Sequence, residues 1–162
     1  MKCIVAVDNV WNIGKNNDLL FSIPTDMKFF RTTTSGKVVV MGRKTLDSFP
    51  GGKALPKRVN IVLTANENFE RENVTACGSV EAVLKEVEKY NTDDVFVIGG
   101  EAVYKLFLPY CDTALVTHVD AVAEGADKKF PDLSQLSEWK LTEKSEPVEE
   151  NGYTFRFCTY KK

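Results

Sequence analysis

Asp26 is the residue best suited to bind a ligand through a carboxylate. It lies in the first turn of a helix predicted to begin at Pro24, where the positive end of the helix dipole favours the ionised form. Phe30 follows four residues later on the same helix face, and Met27 and Phe29 add apolar surroundings. Such a carboxylate can bind a flat cationic or amidine-like heterocycle through paired hydrogen bonds. The alternative is a helix-start aspartate that points into water.

The pair Gly99-Gly100 is a candidate phosphate site, because it joins the apolar run VFVI to a predicted helix. Glycines let a phosphate approach the backbone closely, and a helix N-terminus offers free N–H groups. The alternative is a tight strand-to-helix turn with no ligand. The three spaced glycines of a dinucleotide fingerprint are absent, so a standard Rossmann site is not supported.

The segment GKVVVMGRKT (36–45) looks at first like an ATP-binding phosphate loop, but its spacing is wrong. Five residues separate Gly36 from Gly42 instead of four, and they include the apolar run 38–41, which is typical of a strand. The segment therefore predicts a second strand-glycine-helix corner.

Three polar side chains follow Gly42 at this second corner. Arg43 and Lys44 are cationic, and Thr45 can donate a hydrogen bond to an oxygen. Two glycine corners fit a ligand that carries more than one phosphate. Arg43 and Lys44 are equally compatible with solvated surface charges.

Short strands that alternate with helices must position these residues. Four β-branched runs are apolar on both faces, as central strands are: 3–7, 38–41, 60–64 and 95–98. Helical patterns cover 24–34, 79–89 (with Ser79 as its N-cap) and 100–109, where Val103, Leu106 and Phe107 form the apolar stripe. Three C-terminal segments are typical of strands, and the last two alternate as in antiparallel pairing: 113–120, 139–145 and 153–160.

These patterns predict an α/β fold. We expect a single domain with a mixed, mostly parallel central sheet of about eight strands, about four flanking helices and antiparallel C-terminal strands. Ligands of open α/β sheets bind at the C-terminal ends of the strands. Nearly every predicted strand ends there in Gly, Thr, Asn or a charged residue.

The composition of the 162 residues argues against several classes of protein. A net charge of −2 does not favour nucleic acid as the main partner, and no apolar run suits a membrane span. The four cysteines are scattered without a Cys-x-x-Cys pair, which indicates neither zinc nor a dithiol site but a reducing, cytoplasmic setting. Because His118 is the only histidine, no His-based triad or metal cluster is expected.

Eight segments make the chain resemble the dihydrofolate reductases over nearly its whole length. They are IVAVD (4–8), NIG (12–14), IPTDMKFF (23–30), VVVMGRKT (38–45), LPKRVNIVLT (55–64), VFVIGGEAVYKLFLP (95–109), VTHVD (116–120) and FPD (130–132). Their order and spacing are those of the family. An aspartate rather than a glutamate at position 26 looks like the bacterial chromosomal form.

The resemblance implies NADPH-dependent reduction of 7,8-dihydrofolate to 5,6,7,8-tetrahydrofolate. Hydride would pass from the nicotinamide to pterin C6, and N5 would gain a proton from water, so the protein would act mainly by placement and electrostatics. The family further implies a cytoplasmic monomer whose single domain spans residues 1–162. It would serve one-carbon and thymidylate metabolism and bind antifolate-like small molecules, without nucleic acid or membrane.

The resemblance also assigns site residues, with Asp26 on the pterin amino group and ring nitrogen and Arg58 on the glutamate carboxylate of folate. The catalytic set would be Asp26, Thr117 and Phe21. The substrate would contact Val5, Ala6, Asp26, Met27, Phe30, Phe49, Leu55, Arg58, Ile98, Tyr104 and Thr117. NADPH would contact Ala6, Ile13, Gly14, Asn17, Asp18, Leu19, Gly42, Arg43, Lys44, Thr45, Leu63, Thr64, Ala65, Gly78, Ile98, Gly99, Gly100, Glu101, Ala102, Val103 and Tyr104. The loop 9–23 would form a lid over the site.

The chain departs from the family pattern in two places. Many members carry Pro-Trp where this chain has Leu20-Phe21, and phenylalanine lacks the N–H that an indole can donate. We therefore expect an altered lid or proton-delivery step. Many members also have Arg or a hydroxyl residue just after the third apolar strand, where Ala65 and Asn66 follow Thr64 here. Preference for NADPH over NADH would then depend on Arg43 and Lys44.

Two other functions remain open at this level. A reductase of the same fold could act on a ribosylaminopyrimidine in flavin synthesis, although Asp26 and Arg58 favour folate. A non-catalytic nucleotide- or folate-binding protein would need the same contacts, so the sequence separates it poorly from an enzyme.

Overall fold

The apolar, β-branched runs form the central strands of a sheet, as predicted. The structure is a computed structural model that describes residues 1–16 and 18–162. Its strands are β1 (Lys2–Val7), β2 (Asn12–Lys15), β3 (Asp18–Leu19), β4 (Val38–Gly42), β5 (Val59–Leu63), β6 (Val74–Cys77), β7 (Val95–Gly99), β8 (Thr113–Val119), β9 (Lys128–Lys129), β10 (Lys140–Lys144), β11 (Val148–Glu150) and β12 (Tyr153–Lys161). Its α-helices are α1 (Pro24–Thr34), α2 (Arg43–Asp47), α3 (Val80–Val87) and α4 (Glu101–Phe107).

The main sheet has the strand order β10-β12-β8-β1-β7-β4-β5-β6, with β11 paired to β12 outside this path. The strands from β8 to β6 in this order are parallel. Strand β12 runs antiparallel to β8, β10 and β11. The predicted fold class, a single α/β domain with a mixed sheet and antiparallel C-terminal strands, is confirmed.

The helices cover both faces of this sheet because side chains alternate along each strand. On one face, Leu46 of α2 packs with Val39 and Met41 of β4. On the other face, α3 and α4 pack in the cluster that contains Val38 and Val40 of the same strand. Helix α1 covers the same face of the sheet as α2. The Thr117 hydroxyl in β8 points to this face and contacts Asp26 of α1.

Local sequence signals correctly predicted where helices α1 and α3 begin. Helix α1 spans the predicted 24–34, and the Ser79 hydroxyl caps α3 by accepting a hydrogen bond of 3.1 Å from the Ala82 N–H. The predicted stripe of α4 is wrong at Leu106, which is 47% exposed. Tyr104 is buried in its place, because this seven-residue helix turns Val103, Tyr104 and Phe107 towards the sheet.

A second, small antiparallel sheet joins β3, β2 and β9. It links the segment predicted as a lid, 9–23, to residues 128–129 of the loop that follows β8. None of the helices in the described part of the chain is long and apolar enough to cross a membrane.

Candidate active site

The C-terminal ends of β1, β4, β5, β7 and β8 meet at one edge of the sheet, because these strands are parallel. The register places Ala6 beside Thr117 and Gly99 beside Met41. Gly42 lies beside Leu63 on the next pair. Residues from distant segments of the chain therefore come together at this edge.

Asp26 and Thr117 form a direct pair at this edge. The Thr117 hydroxyl, which is buried, donates a hydrogen bond of 2.7 Å to Asp26 Oδ1. Burial raises the pKa of Asp26 above its ordinary value, and the Thr117 hydrogen bond, which favours the ionised form, partly opposes this rise. The site thus contains a half-buried carboxylate that is held in place by a neutral donor.

The aromatic and aliphatic residues predicted to contact the substrate lie on the face of the sheet that α1 and α2 cover. Phe49, Leu55 and Ile98 are half-buried and pack against the cluster of α2 and β4. Phe30 is half-buried on α1, whereas Met27 is 51% exposed. Together they leave one apolar wall attached to the sheet and a second wall on α1.

Arg58 lies beside the α1 wall. Its guanidinium carbon is 5.8 Å from the centre of the Phe30 ring. Its Nε atom is buried and has no hydrogen-bond partner in the described part of the chain. Burial and the nearby Arg31 both lower the pKa of this guanidinium, so an anionic partner would be favoured here.

Two predicted contact residues have side chains on the opposite face of the sheet. Val5 and Leu63 belong to the core under α3 and α4 rather than to the side of Asp26. Only their backbone atoms can therefore face a ligand held by Asp26. The period of a strand could have predicted this orientation, since Ala6 and Thr117 are neighbours in the register and Val5 is displaced by one residue.

Phe21 lies in an apolar cluster near the C-terminal end of the predicted lid segment, 9–23. Its ring is 5.0 Å from that of Tyr153, in an edge-on arrangement. Ile23, Val119 and Phe155 form the buried part of the same cluster. Phe21 therefore offers packing and no hydrogen-bonding atom at this position.

The two glycine corners cannot accept side chains without rearrangement. A Cβ atom at Gly42 would lie 3.1 Å from Val103 Cγ2. At Gly99, whose φ is +138°, a Cβ atom would lie 3.2 Å from Thr45 Oγ1. Glycine at these two positions therefore allows the close packing of β4 against α4 and of β7 against α2.

Further residues predicted to contact the cofactor lie in α4 and directly after β5 and β6. Tyr104 is buried and donates a hydrogen bond of 2.8 Å to the Ile4 carbonyl oxygen. Glu101 Oε2 accepts a hydrogen bond of 2.6 Å from the Lys129 N–H. Thr64 is half-buried and Ala65 is exposed after β5, Gly78 is exposed after β6, and Ala102 is exposed on α4.

Arg43 begins α2 and lies over an aromatic ring. Its guanidinium carbon is 4.8 Å from the centre of the Phe69 ring, and its Nε atom is 3.6 Å from Asp47 Oδ2. Lys44 is exposed. The structure thus brings Arg43 and Lys44 to the Gly42 corner and gives Arg43 an ordered position there.

The lid segment is attached through a buried carboxylate that sequence reasoning missed. Asp8 Oδ1 accepts hydrogen bonds from the N–H groups of Val10 (3.0 Å) and Asn12 (2.8 Å). Its Oδ2 accepts from Asn12 Nδ2 (2.8 Å) and from the Ala123 N–H (2.9 Å). Burial alone would raise the pKa of Asp8, but these four hydrogen bonds outweigh it and lower the pKa.

Other parts of the lid occupy the small sheet. Ile13 is half-buried, Gly14 is buried in β2, and Asp18 and Leu19 are exposed in β3. Asn17, which was also predicted at the cofactor, lies outside the described residues.

The anchoring role of Asp8 had one signal in the sequence: an aspartate directly after an apolar strand and before a turn.

Comparisons with known proteins find relatives of this chain in a single family. The family model described as "Dihydrofolate reductase" matches residues 1–162. The dihydrofolate reductase of Staphylococcus haemolyticus is 38% identical over 161 residues, which cover 98% of this chain and 93% of that protein. The dihydrofolate reductase of Bacillus subtilis (strain 168) is 37% identical over 161 residues, with 98% and 92% covered. The solved structure of dihydrofolate reductase from Enterococcus faecalis, complexed with NADP(H) and RAB-propyl, has a TM-score of 0.87 and 35% identity, and the match covers 99% of this chain and 94% of that one.

Proposed function

We propose that this chain, which belongs to the dihydrofolate reductase family, reduces 7,8-dihydrofolate to 5,6,7,8-tetrahydrofolate with NADPH as its cofactor. Membership of this family makes it an NADPH-dependent oxidoreductase. The observation that carries the choice of substrate is the Asp26 carboxylate, held by Thr117 at the C-terminal edge of the sheet.

Asp26 would anchor the pterin. An ionised carboxylate has two oxygens and can accept paired hydrogen bonds from an amino group and an adjacent ring N–H. Thr117 uses only part of the acceptor capacity of Oδ1. Because Asp26 is half-buried, its hydrogen bonds to a bound heterocycle would be stronger than they would be in water.

Arg58 supports a substrate with an acidic tail. Its guanidinium lies beside the Phe30 ring, and its buried Nε atom has no hydrogen-bond partner among the described residues. A guanidinium binds a carboxylate through paired, charge-assisted hydrogen bonds. We propose that it binds the glutamate carboxylate of folate, while Phe30, Phe49 and Leu55 enclose the rings.

The residues at the two glycine corners fit NADPH. The backbone N–H groups at the starts of α2 and α4 would bind the pyrophosphate, and the exposed Arg43 and Lys44 supply positive charge directly after Gly42. When bound, NADPH supplies the hydride that passes from its nicotinamide to pterin C6. Ala6, Ile98 and Tyr104 would hold the two reacting rings together, and the segment 9–23 would exclude bulk water.

The proton at pterin N5 would come from water. Phe21 has no polar atom, and Asp26 would be engaged with the amino group and ring nitrogen of the pterin. We propose that Asp26 promotes this step through its negative charge, which favours a proton on the bound ring. The chain would thus act by placement and electrostatics rather than through a covalent intermediate.

The proposal includes a single domain of residues 1–162 that acts as a monomer in the cytoplasm. The four cysteines are free and buried, which agrees with a reducing compartment. Sedimentation equilibrium of the purified chain at micromolar concentration tests the monomer directly, and a dimer mass would contradict it.

The reductase activity is tested by the loss of NADPH absorbance in the presence of 7,8-dihydrofolate. We expect turnover that needs both compounds and that an antifolate inhibits. A ribosylaminopyrimidine serves as the control substrate, and preference for it would redirect the assignment to flavin synthesis. Folded protein that binds NADPH and dihydrofolate without turnover would falsify the reductase and leave a binding protein.

A further inference from the structure

The Phe69 ring lies against two guanidinium groups. The guanidinium carbon of Arg43 is 4.8 Å from the centre of the ring, and that of Arg71 is 5.2 Å away. Phe69 itself is buried in the core cluster of α2 and β4. Its position is therefore set by packing, and it offers a rigid aromatic surface to both cations.

Asp47 lies between the same two cations. Its Oδ1 is 3.1 Å from Arg71 Nη1, whereas its Oδ2 is 3.6 Å from Arg43 Nε. Arg71 Nη1 also donates to the Gly52 carbonyl oxygen, in the turn that follows α2. Arg71 is thus anchored on two oxygens, and it is the closer partner of the carboxylate.

The charge balance of this cluster makes Arg71 important. Two guanidinium groups and one carboxylate leave one positive charge, and without Arg71 the carboxylate of Asp47 would be free to neutralise Arg43. Arg71 is also the only cation between Arg58 and Lys85 in the sequence. The loop around it carries Glu67, Glu70 and Glu72, which are exposed and unfavourable to an anion.

We propose that Arg71 is a positioning residue for cofactor specificity: it holds Asp47 and so keeps the Arg43 guanidinium available to the phosphate on the adenosine ribose of NADPH. NADH lacks this phosphate, so its binding would not depend on Arg71. The role rests on the proposed function, because it presupposes that NADPH binds at the Gly42 corner. It would allow the chain to select NADPH although Thr64 is followed directly by the uncharged residues Ala65 and Asn66.

Calorimetric titration of the full chain with NADPH and with NADH tests this role without relying on turnover. Arg71→Gln should weaken NADPH binding about fivefold and leave NADH binding unchanged, as expected for the loss of one partly exposed charged contact. Arg71→Lys, which can still pair with Asp47, should keep most of the preference. Lys85→Gln removes the same charge from the exposed surface of α3 and serves as the matched control.

The double variant Arg71→Gln with Asp47→Asn separates charge competition from mere support of the fold. Removing the competing carboxylate should restore NADPH binding in the Arg71→Gln background. Asp47→Asn alone should leave NADPH binding equal or stronger, and this variant keeps the test available should Arg71→Gln fold poorly. Equal losses for NADPH and NADH, no rescue in the double variant, or a selective NADPH loss in Asp47→Asn would each overturn the role.

Failure of this inference differs from failure of the proposed function. A chain that prefers NADPH in calorimetry but does not reduce dihydrofolate would contradict the reductase and leave the role of Arg71 standing. A chain that reduces dihydrofolate while Arg71→Gln keeps the native preference would retain the reductase and lose the role of Arg71.

Discussion

Thr117 Oγ1 donates a hydrogen bond of 2.7 Å to Asp26 Oδ1, although the two residues are 91 positions apart in the chain. The pair joins the first turn of α1 to the C-terminal half of β8. The hydrogen bond therefore links the position of α1 to the ionisation of the Asp26 carboxyl group. Three of the following predictions depend on it.

Asp26→Asn should lower kcat/KM for dihydrofolate at neutral pH by about a hundredfold, since a charge-assisted pair of hydrogen bonds contributes about 3 kcal/mol. The Kd for NADPH should stay near the native value. Stopped-flow absorbance and NADPH titration measure the two quantities. Glu88→Gln, which removes the charge of an exposed carboxylate directly after α3, is the control. Native activity in Asp26→Asn would contradict the anchoring role.

Asp26→Asn should also raise the free energy of unfolding at pH 7, by roughly 1 kcal/mol. Because burial raises the folded-state pKa of Asp26 above its ordinary value of 3.8, the folded chain binds a proton more tightly than the unfolded chain. Stability from this group is full below the unfolded pKa and is lost as the pH rises through the folded pKa. Urea unfolding of both proteins at pH 7 should show the gain, and a less stable variant would contradict the cost of burying this charge.

Thr117→Val should raise the pKa of Asp26 further, because it removes the donor that favours the ionised carboxylate. Thr117→Ser keeps the hydroxyl and should retain the native pKa. Carbon-13 NMR of labelled aspartate follows the titration directly. An unshifted carboxyl titration in Thr117→Val would mean that the hydrogen bond does not control the ionisation of Asp26.

Phe21→Trp should change the pH dependence of hydride transfer, because an indole N–H adds a donor that can position water near the substrate. The ring of Phe21 meets Tyr153 edge-on, and the larger indole must fit against the same neighbour. Phe21→Leu adds no donor and provides the control for altered packing. Pre-steady-state rates with NADPH and its deuterated form, measured from pH 5 to 9, should differ in profile only for tryptophan; identical profiles in all three proteins would dismiss the idea.

Arg43→Ala should weaken NADPH about tenfold more than NADH, as expected when a charge-assisted contact to a phosphate is lost. The ratio of kcat/KM for the two cofactors measures this preference. Raising the ionic strength should also reduce the preference of the native protein for NADPH over NADH, because exposed charges are screened. Equal losses for both cofactors would remove Arg43 from cofactor choice.

Asp8→Asn should destabilise the fold by about 2–4 kcal/mol, because an amide cannot accept all four hydrogen bonds of the buried carboxylate. Since the folded pKa of Asp8 is lowered, its contribution is present above the unfolded pKa and is lost as the pH falls through the folded pKa. The difference in unfolding free energy between the two proteins should therefore shrink in acid. Asp120→Asn, which alters an exposed bond to Asn9 between the same loops, is the control and should cost under about 1 kcal/mol.

The elements with strong local signals were predicted from sequence. Pro24 at the first helical position and the Ser79 cap mark helix starts, because both act through bonds within a single turn. Strands β1, β4, β5 and β7 each contain an apolar, β-branched run, which is typical of strands buried on both faces. These signals also predicted the two glycine corners, although the site roles given to their residues stay predictions.

Other elements have no such signal. The short strands β2, β3 and β9 form by pairing with one another, and β11 forms by pairing with β12. Leu106 is exposed for a similar reason, since the apolar pattern of a seven-residue helix does not determine which side of the helix packs against the sheet. In each case the deciding contact comes from a distant part of the chain.

The sequence by itself determined the α/β class, the family and the identity of the candidate groups, because these depend on local periodicity and on motif order. Only the tertiary structure decided which groups meet. It turned Val5 and Leu63 away from Asp26, brought Thr117 onto that carboxylate, and placed Asp47 between Arg43 and Arg71. Such pairings set pKa values and charge availability through distance and burial, and neither is encoded in the spacing of residues along the chain.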